Sequence, residues 1–172
     1  QTKYIKMKNL ILSITALFIT LSVSSQTIVD AAASNKDFST LVTALKAADL
    51  VGALSGEGPF TVFAPNNDAF GKIDSETLGS LLKPENVEAL SNILTYHVVS
   101  GKLMASDVTK ALKDGYGRVK LTALNGQTFV ARSKGGKIFL KDQNGDMSEV
   151  IATDVVGTNG VIHVIDSVIM PE

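Results

Sequence analysis

Between residues 28 and 54 the apolar positions recur at intervals of three and four, through Phe38, Leu41, Val42, Leu45 and Ala48. That spacing lines one face of a 3.6-residue period and predicts one or two amphipathic helices. Ser34 or Asn35 supplies an N-cap, and Gly56 with Gly58 stops the helical region ahead of Pro59. Residues 60–64 are short and β-rich, and Pro65 ends them because proline offers no N–H to a ladder. The turn Asn66-Asn67-Asp68 carries short polar side chains suited to capping a new helix. Residues 75–82 and 84–94 return to a helical period, with Pro84 in a first turn where its missing N–H is harmless.

After Leu94 the period changes to two. Tyr96-His97-Val98-Val99 predicts a strand, and residues 105–112 predict one more short helix capped by Ser100 or Ser106. From Arg118 onward the pattern predicts antiparallel strands over 119–124, 128–132, 137–141, 149–156 and 161–169. Asn125-Gly126, Asn144-Gly145 and Asn159-Gly160 fall in the gaps, where such pairs supply the positive φ of a tight hairpin turn. Helices in the first half and strands in the second predict an α+β domain built on a twisted antiparallel sheet or sandwich.

The start of the chain changes the picture of where that domain works. Lys3, Lys6 and Lys8 precede an apolar run over 10–23, followed by Ser24 and Ser25. This is the layout of a secretory signal peptide, and Met7 opens a conventional one by itself. The run falls short of the roughly 20 residues a bilayer-spanning helix needs, so cleavage between Ser25 and Gln26 and no stable membrane anchor afterwards are expected. Residues 26–172 then form a single domain.

The chain holds 16 Lys and Arg against 17 Asp and Glu; residues 1–25 contain three of the lysines and no acid, leaving 13 against 17, or −4. A mildly acidic surface without a basic block is expected, which does not suit nucleic acid or anionic lipid. With no cysteine, a disulfide framework, a thiol nucleophile and a lipidated N-terminal cysteine are all excluded.

Candidate chemistry is sparse. Alternation along 161–167 places His163 in a strand apolar on both faces, which reads as a hydrogen-bonded structural histidine. Tyr96 and His97 read likewise as rings packed in a half-buried strand with satisfied polar tips. Asp142-Gln143-Asn144-Gly145-Asp146 starts like a calcium loop, but Met147 stands at the sixth position and Thr153 at the twelfth, so a polar hairpin tip is expected and no metal. Asp68, Asp74, Glu76, Glu85 and Glu88 read as solvated faces, and their spacing does not place a pair at the roughly 5 to 9 Å that glycoside hydrolysis uses. The sequence holds no nucleophile-elbow serine, phosphate-cradling loop or His-Glu-x-x-His helix. The expectation is a protein without catalytic residues or cofactor. A sugar-stacking platform would rest on Tyr96, Tyr116 or a phenylalanine, as tryptophan is absent.

Three segments carry a resemblance. Gly58-Pro59-Phe60-Thr61-Val62-Phe63-Ala64-Pro65-Asn66-Asn67-Asp68-Ala69-Phe70 lies early, Tyr96-His97-Val98-Val99-Ser100-Gly101 centrally, and Thr158-Asn159-Gly160-Val161-Ile162-His163-Val164-Ile165-Asp166-Ser167-Val168-Ile169-Met170-Pro171 late. Together they resemble the two conserved boxes and the central Tyr-His element of the fasciclin domain family, an extracellular adhesion module, over residues 28–171. The resemblance implies a β-wedge with a helical layer, in which Thr61, Phe63, Pro65 and Phe70 serve as core and turn residues. It further implies non-covalent binding to a cell-surface or matrix protein, with a glycan as a further candidate partner, in the periplasm or outside the cell. A small-ligand or carbohydrate-binding module is the alternative. In animal matrix relatives the Tyr-His element and an Asp-Ile element upstream of the second box are implicated in integrin-dependent adhesion. By resemblance these map to Tyr96 and His97, and to Asp154 and Val155, where the aliphatic is one methylene smaller. The bland reading of Asp154 is a carboxylate hydrogen-bonded to nearby turn backbone.

Overall fold

A computed structural model describes residues 26–172; the expected signal peptide lies outside the described residues. Helix α1 (Ile28–Ser34) starts at a reciprocal cap, in which Asp30 N–H donates to the Thr27 hydroxyl and Thr27 N–H to the Asp30 carboxylate. Asn35 caps the 3₁₀ turn Lys36–Phe38, which leads into α2 (Ser39–Ala47) and α3 (Val51–Leu54). Strand β1 (Phe60–Pro65) ends at Asn66, which caps α4 (Asn67–Gly71) by accepting Ala69 N–H at 2.8 Å. Asn67, expected to share that capping role, instead accepts Thr40 N–H and donates to Lys36 O, tying α4 to the start of α2. Asp74 caps α5 (Ser75–Leu81), and Pro84 opens a 3₁₀ turn before α6 (Val87–Tyr96).

Two expectations for the middle of the chain need correction. Tyr96 is the last residue of α6 and His97 its C-cap, while β2 is confined to Val98–Ser100. The apolar face of α6 through Leu90 and Leu94 runs on into this segment, so helical packing overrides the period-two reading. Helix α7 (Ala105–Asp114) is capped by neither Ser100 nor Ser106; the Asp107 carboxylate accepts Met104 N–H and the Asp154 carboxylate accepts Ala105 N–H.

The remaining strands are β3 (Arg118–Thr122), β4 (Thr128–Lys134), β5 (Lys137–Lys141), β6 (Met147–Gly157) and β7 (Gly160–Ile165). They join β1 and β2 in one sheet of order β2-β1-β7-β6-β5-β4-β3. Its pairings are antiparallel apart from β1 and β7, which run parallel from Phe60 opposite Gly160 to Pro65 opposite Ile165. The early and late segments are therefore neighbouring strands. A bridge between Val99 and Ala123, with Leu124 N–H donating to Val98 O at 2.8 Å, draws β2 and β3 together and folds the sheet toward a barrel.

Alternation along β1 divides the interior in two. Val62 and Ala64 face the helices and pack with Ile28, Leu41, Leu45 and Leu94, whereas Phe63 points into the folded sheet with Tyr96, Phe129, Leu140 and Ile165. Buried on both faces, β1 and β7 form the wall between the two cores.

One side chain fastens this wall to the helices. Asn159 is buried; its Oδ1 accepts Ile28 N–H at 2.9 Å, its Nδ2 donates to Leu54 O and Gly56 O at 2.8 Å each, and its own carbonyl accepts Phe60 N–H at 3.0 Å. Asn125-Gly126 and Asn144-Gly145 hold the positive φ expected of hairpin turns, but Gly160 does not. Glycine is required there because a Cβ would lie 2.1 Å from Phe60 O, where β1 and β7 meet. Asn159→Ala leaves an amide and two carbonyls unpaired, at roughly 1–3 kcal/mol per buried group. Urea unfolding followed by circular dichroism should show a loss of about 3 kcal/mol or more, and Asn159→Asp, which keeps an acceptor but no donor, should recover little of it.

Candidate functional site

Tyr96 and His97 lie inside the domain. The Tyr96 ring packs edge-on against Phe129 at 5.5 Å, Phe129 meets Phe63 edge-on at 5.5 Å, and Phe63 lies 5.6 Å from the His163 ring. The Tyr96 hydroxyl donates to Thr128 O at 3.0 Å, and burial, with the Asp142 charge second, pushes its pKa up. His97 contacts Ile93 O through Nδ1 at 2.8 Å and accepts Ile169 N–H at Nε2, 3.1 Å away. Because Nε2 must accept, the proton sits on Nδ1 and the ring is neutral. Neither ring can touch a partner of the folded domain; both fill and satisfy the interior, as their residue-level reading expects.

Asp154 and Val155 lie on the surface, in a stretch of β6 where the register with β7 shifts between Ala152 and Val155. Asp154 adopts φ 61°, a left-handed conformation that aspartate tolerates better than most residues. Its carboxylate caps α7 through Ala105 N–H at 2.9 Å, and its own N–H donates to His163 Nδ1 at 3.3 Å. His163 Nε2 in turn donates to Leu103 O at 2.7 Å, so this histidine too is buried and hydrogen-bonded. The carboxylate thus bonds backbone, though at the start of a helix distant in sequence instead of a nearby turn. Val155 is 37% exposed, and it stands beside Val156 at 53% and near Ile151 at 49%.

The four residues singled out by resemblance therefore separate into a buried pair and a surface pair. They are joined by a run of contacts from Asp154 through His163, Phe63 and Phe129 to Tyr96. Ile151 and Val156 lie beside the surface pair and were not picked out in the sequence, which predicts only a strand over this stretch. A strand whose apolar residues exceed what one core face can cover is the signal that was present.

The loop from Asp142 to Asp146 forms the polar hairpin tip expected of it, with Asp142 turned inward. Asp142 is buried, and its carboxylate accepts Asp146 N–H at 2.9 Å and Met170 N–H at 3.1 Å, binding the β5–β6 turn to the chain end. Among the described residues no group of three or more His, Cys, Asp or Glu is placed to hold a metal ion. The gap between helices and sheet, lined by Leu41, Leu45, Leu94, His97 and Ile162, has a volume of about 20 Å³. That is room for roughly one water, against the several hundred Å³ of a small-molecule site. No helix among the described residues is long and apolar enough to cross a membrane.

Burial pushes the His97 pKa down to about 4, against an ordinary value of 6.5. Between those values the unfolded chain holds the extra proton, so stability rises with pH. The contribution is complete above about pH 6.5 and is lost as pH falls through about 4, with a slope of up to roughly 1.4 kcal/mol per pH unit. Urea midpoints measured down this range should fall more steeply for the wild type than for His97→Gln, which starts less stable at neutral pH; parallel curves would assign the dependence to other groups.

Comparison with known proteins agrees with this architecture. Residues 36–171 match the Fasciclin domain family model. The chain is 50% identical over 148 residues to the Synechocystis protein sll1483, covering 86% of this chain and 75% of that protein. It is 36% identical to human periostin over 141 residues, which covers 80% of this chain but 15% of periostin, and 34% identical to the Mycobacterium bovis immunogenic protein MPB70, covering 82% and 67%. The fold matches a domain pair from the insect cell adhesion molecule fasciclin I with a TM-score of 0.72 at 21% identity, over 83% of this chain and 50% of that one. The chain belongs to the fasciclin domain family.

Proposed function

We propose that this domain is an exported, non-enzymatic recognition module that engages a cell-surface or matrix partner through Ile151, Asp154, Val155 and Val156 of β6. The observation that carries the reading is the run of exposed β-branched residues along this stretch of β6, Ile151, Val155 and Val156, the two valines projecting to opposite faces of the strand, beside a carboxylate whose backbone is fixed. Grouped apolar exposure of this kind marks interaction surfaces, and a bulge re-aims side chains where a strand meets its ligand. The signal-like start of the chain and membership of a family that includes an insect cell adhesion molecule support the location and the class. Tyr96 contributes from beneath, at the far end of the packed rings on which His163 and Asp154 rest, while His97 supports the domain by joining Ile93 to Ile169. Each valine or isoleucine buried against a partner contributes about 1.5–3 kcal/mol, so one ridge gives a weak contact that several copies would strengthen.

Residues 26–172 should bind saturably to immobilised source cells or to a matrix component. A Val155→Thr/Val156→Thr variant, which keeps shape and strand preference, should bind about tenfold more weakly, a loss of roughly 1.4 kcal/mol, with its melting temperature little changed. Asp154→Asn keeps the left-handed backbone and a capping oxygen while deleting the charge, so it reads the charge alone. Equal binding by all three proteins would remove the ridge, and absence of wild-type binding would remove the recognition reading.

A further inference from the structure

The acidic balance of the chain conceals a basic face. Register sets Arg118 directly opposite Arg132, Lys134 opposite Lys137, and Val130 between Lys120 and Lys141. Residues two apart on a strand share a face, so Arg118, Lys120, Arg132, Lys134, Lys137 and Lys141 project together from the side away from the core residues Phe129, Ala131 and Leu140. The acid that β6 adds to this face is Glu149, opposite Phe139, and Lys137 pairs with it at 2.7 Å. Among the described residues ion pairs otherwise join only Lys72 to Asp166, so neither arginine is neutralised. Like charges directly opposite each other on adjacent strands are destabilising, which makes the arginine pair a feature the fold does not need.

Beside that pair lies an open concavity of about 290 Å³, lined by Tyr116, Arg118, Arg132, Ser133, Lys134 and Met147. The Tyr116 side chain is 96% exposed on a residue held at φ 53°, so it packs against nothing in the domain. An aromatic ring without intramolecular packing, next to two arginines that project to one face from backbones about 5 Å apart, suits a ligand that combines a flat ring with an anionic oxygen group. Guanidinium forks recognise such groups bidentately, and the tyrosine offers its face to the C–H side of a pyranose. Strand spacing also sets the remaining lysines on a grid of roughly 5 by 7 Å, which a linear polyanion can follow across the sheet.

We infer that this face binds a linear acidic polysaccharide, with Arg118 and Arg132 holding its carboxylate or sulfate and Tyr116 supporting the adjoining sugar ring. A lipid bilayer fits less well, because Val130 and Phe139 sit half-buried among the cations and form no protruding wedge. Preference for a polysaccharide over a nucleic acid rests on the exported location proposed above, whereas the surface itself is separate from the β6 ridge.

The test uses residues 26–172, which contain both cores, against immobilised heparin and polygalacturonate, with neutral dextran, duplex DNA and phosphatidylglycerol vesicles alongside. The wild type should bind both acidic polysaccharides at low salt, release as salt rises, and ignore dextran. Arg118→Gln/Arg132→Gln should bind at least about tenfold more weakly while melting no lower than the wild type, since it relieves a like-charge pair. Tyr116→Asn, which suits the left-handed backbone, should weaken binding severalfold with the fold intact. No wild-type binding to either polysaccharide, or variants that bind like the wild type, would overturn the inference. Tighter binding to DNA or vesicles would overturn it as well, and a DNA preference would also count against the exported location, while leaving the ridge to its own test.

Discussion

Asn159 joins segments that are far apart in the chain at the point where both cores begin. Its amide links to Ile28, 131 residues away, and to Leu54, 105 away, while its backbone carbonyl receives Phe60 N–H. Closing loops of that length costs only slowly more than closing short ones, whereas leaving the same groups dry and unpaired would cost several kcal/mol. The side chain is well matched to the task, since an amide can accept from one backbone and donate to two others. With this junction made, Gly160 can approach Phe60 closely enough for β1 and β7 to pair in parallel.

That pairing explains why the interior is polar in places and yet satisfied. A wall buried on both faces must place residues in two cores at once, and Thr61, His97 and His163 are the polar members enclosed beside it. Thr61 accepts Leu103 N–H and donates to Gly101 O, His97 spans Ile93 and Ile169, and His163 spans Leu103 and Asp154. Thr61 and His163 tie β1 and β7 to the chain ahead of α7, and His97 ties the end of α6 to Ile169 after β7, so these groups serve backbone that would otherwise be orphaned. The same bonds carry rigidity outward to the β6 ridge through Asp154 and to the chain end through Ile169. The ridge and the basic face share the sheet but differ in chemistry, one aliphatic and one cationic.

Local order in the chain made much of the architecture legible. Helical spacing around Phe38–Leu45, the caps at Asn35 and Asn66, the Asn-Gly turns at 125 and 144, and the strand over 137–141 follow from interactions within a few residues, and those reappear in the structure. The paired boxes carried the family. Misreadings fell where packing overrode the shortest pattern: Tyr96-His97 alternates like a strand, but the buried helical face begun at Leu90 runs on through Tyr96. At Asn159-Gly160 the tight hairpin is present, between paired Gly157 and Gly160, but without the positive φ; the glycine's constraint is contact with β1, which no local pattern records.

By itself, then, the sequence determined most element types, a first half rich in helices and a second half rich in strands, the absence of thiol chemistry and the residues that mark the family. Tertiary structure decided which residues are available: Tyr96 and His97 became interior, Asp154 became a cap with an exposed valine beside it, and cations scattered over β3, β4 and β5 became one surface. The physical reason is that helix period, caps and turns are set by neighbours along the chain, whereas burial and the meeting of like charges depend on strand register, which is settled only when the sheet closes on itself.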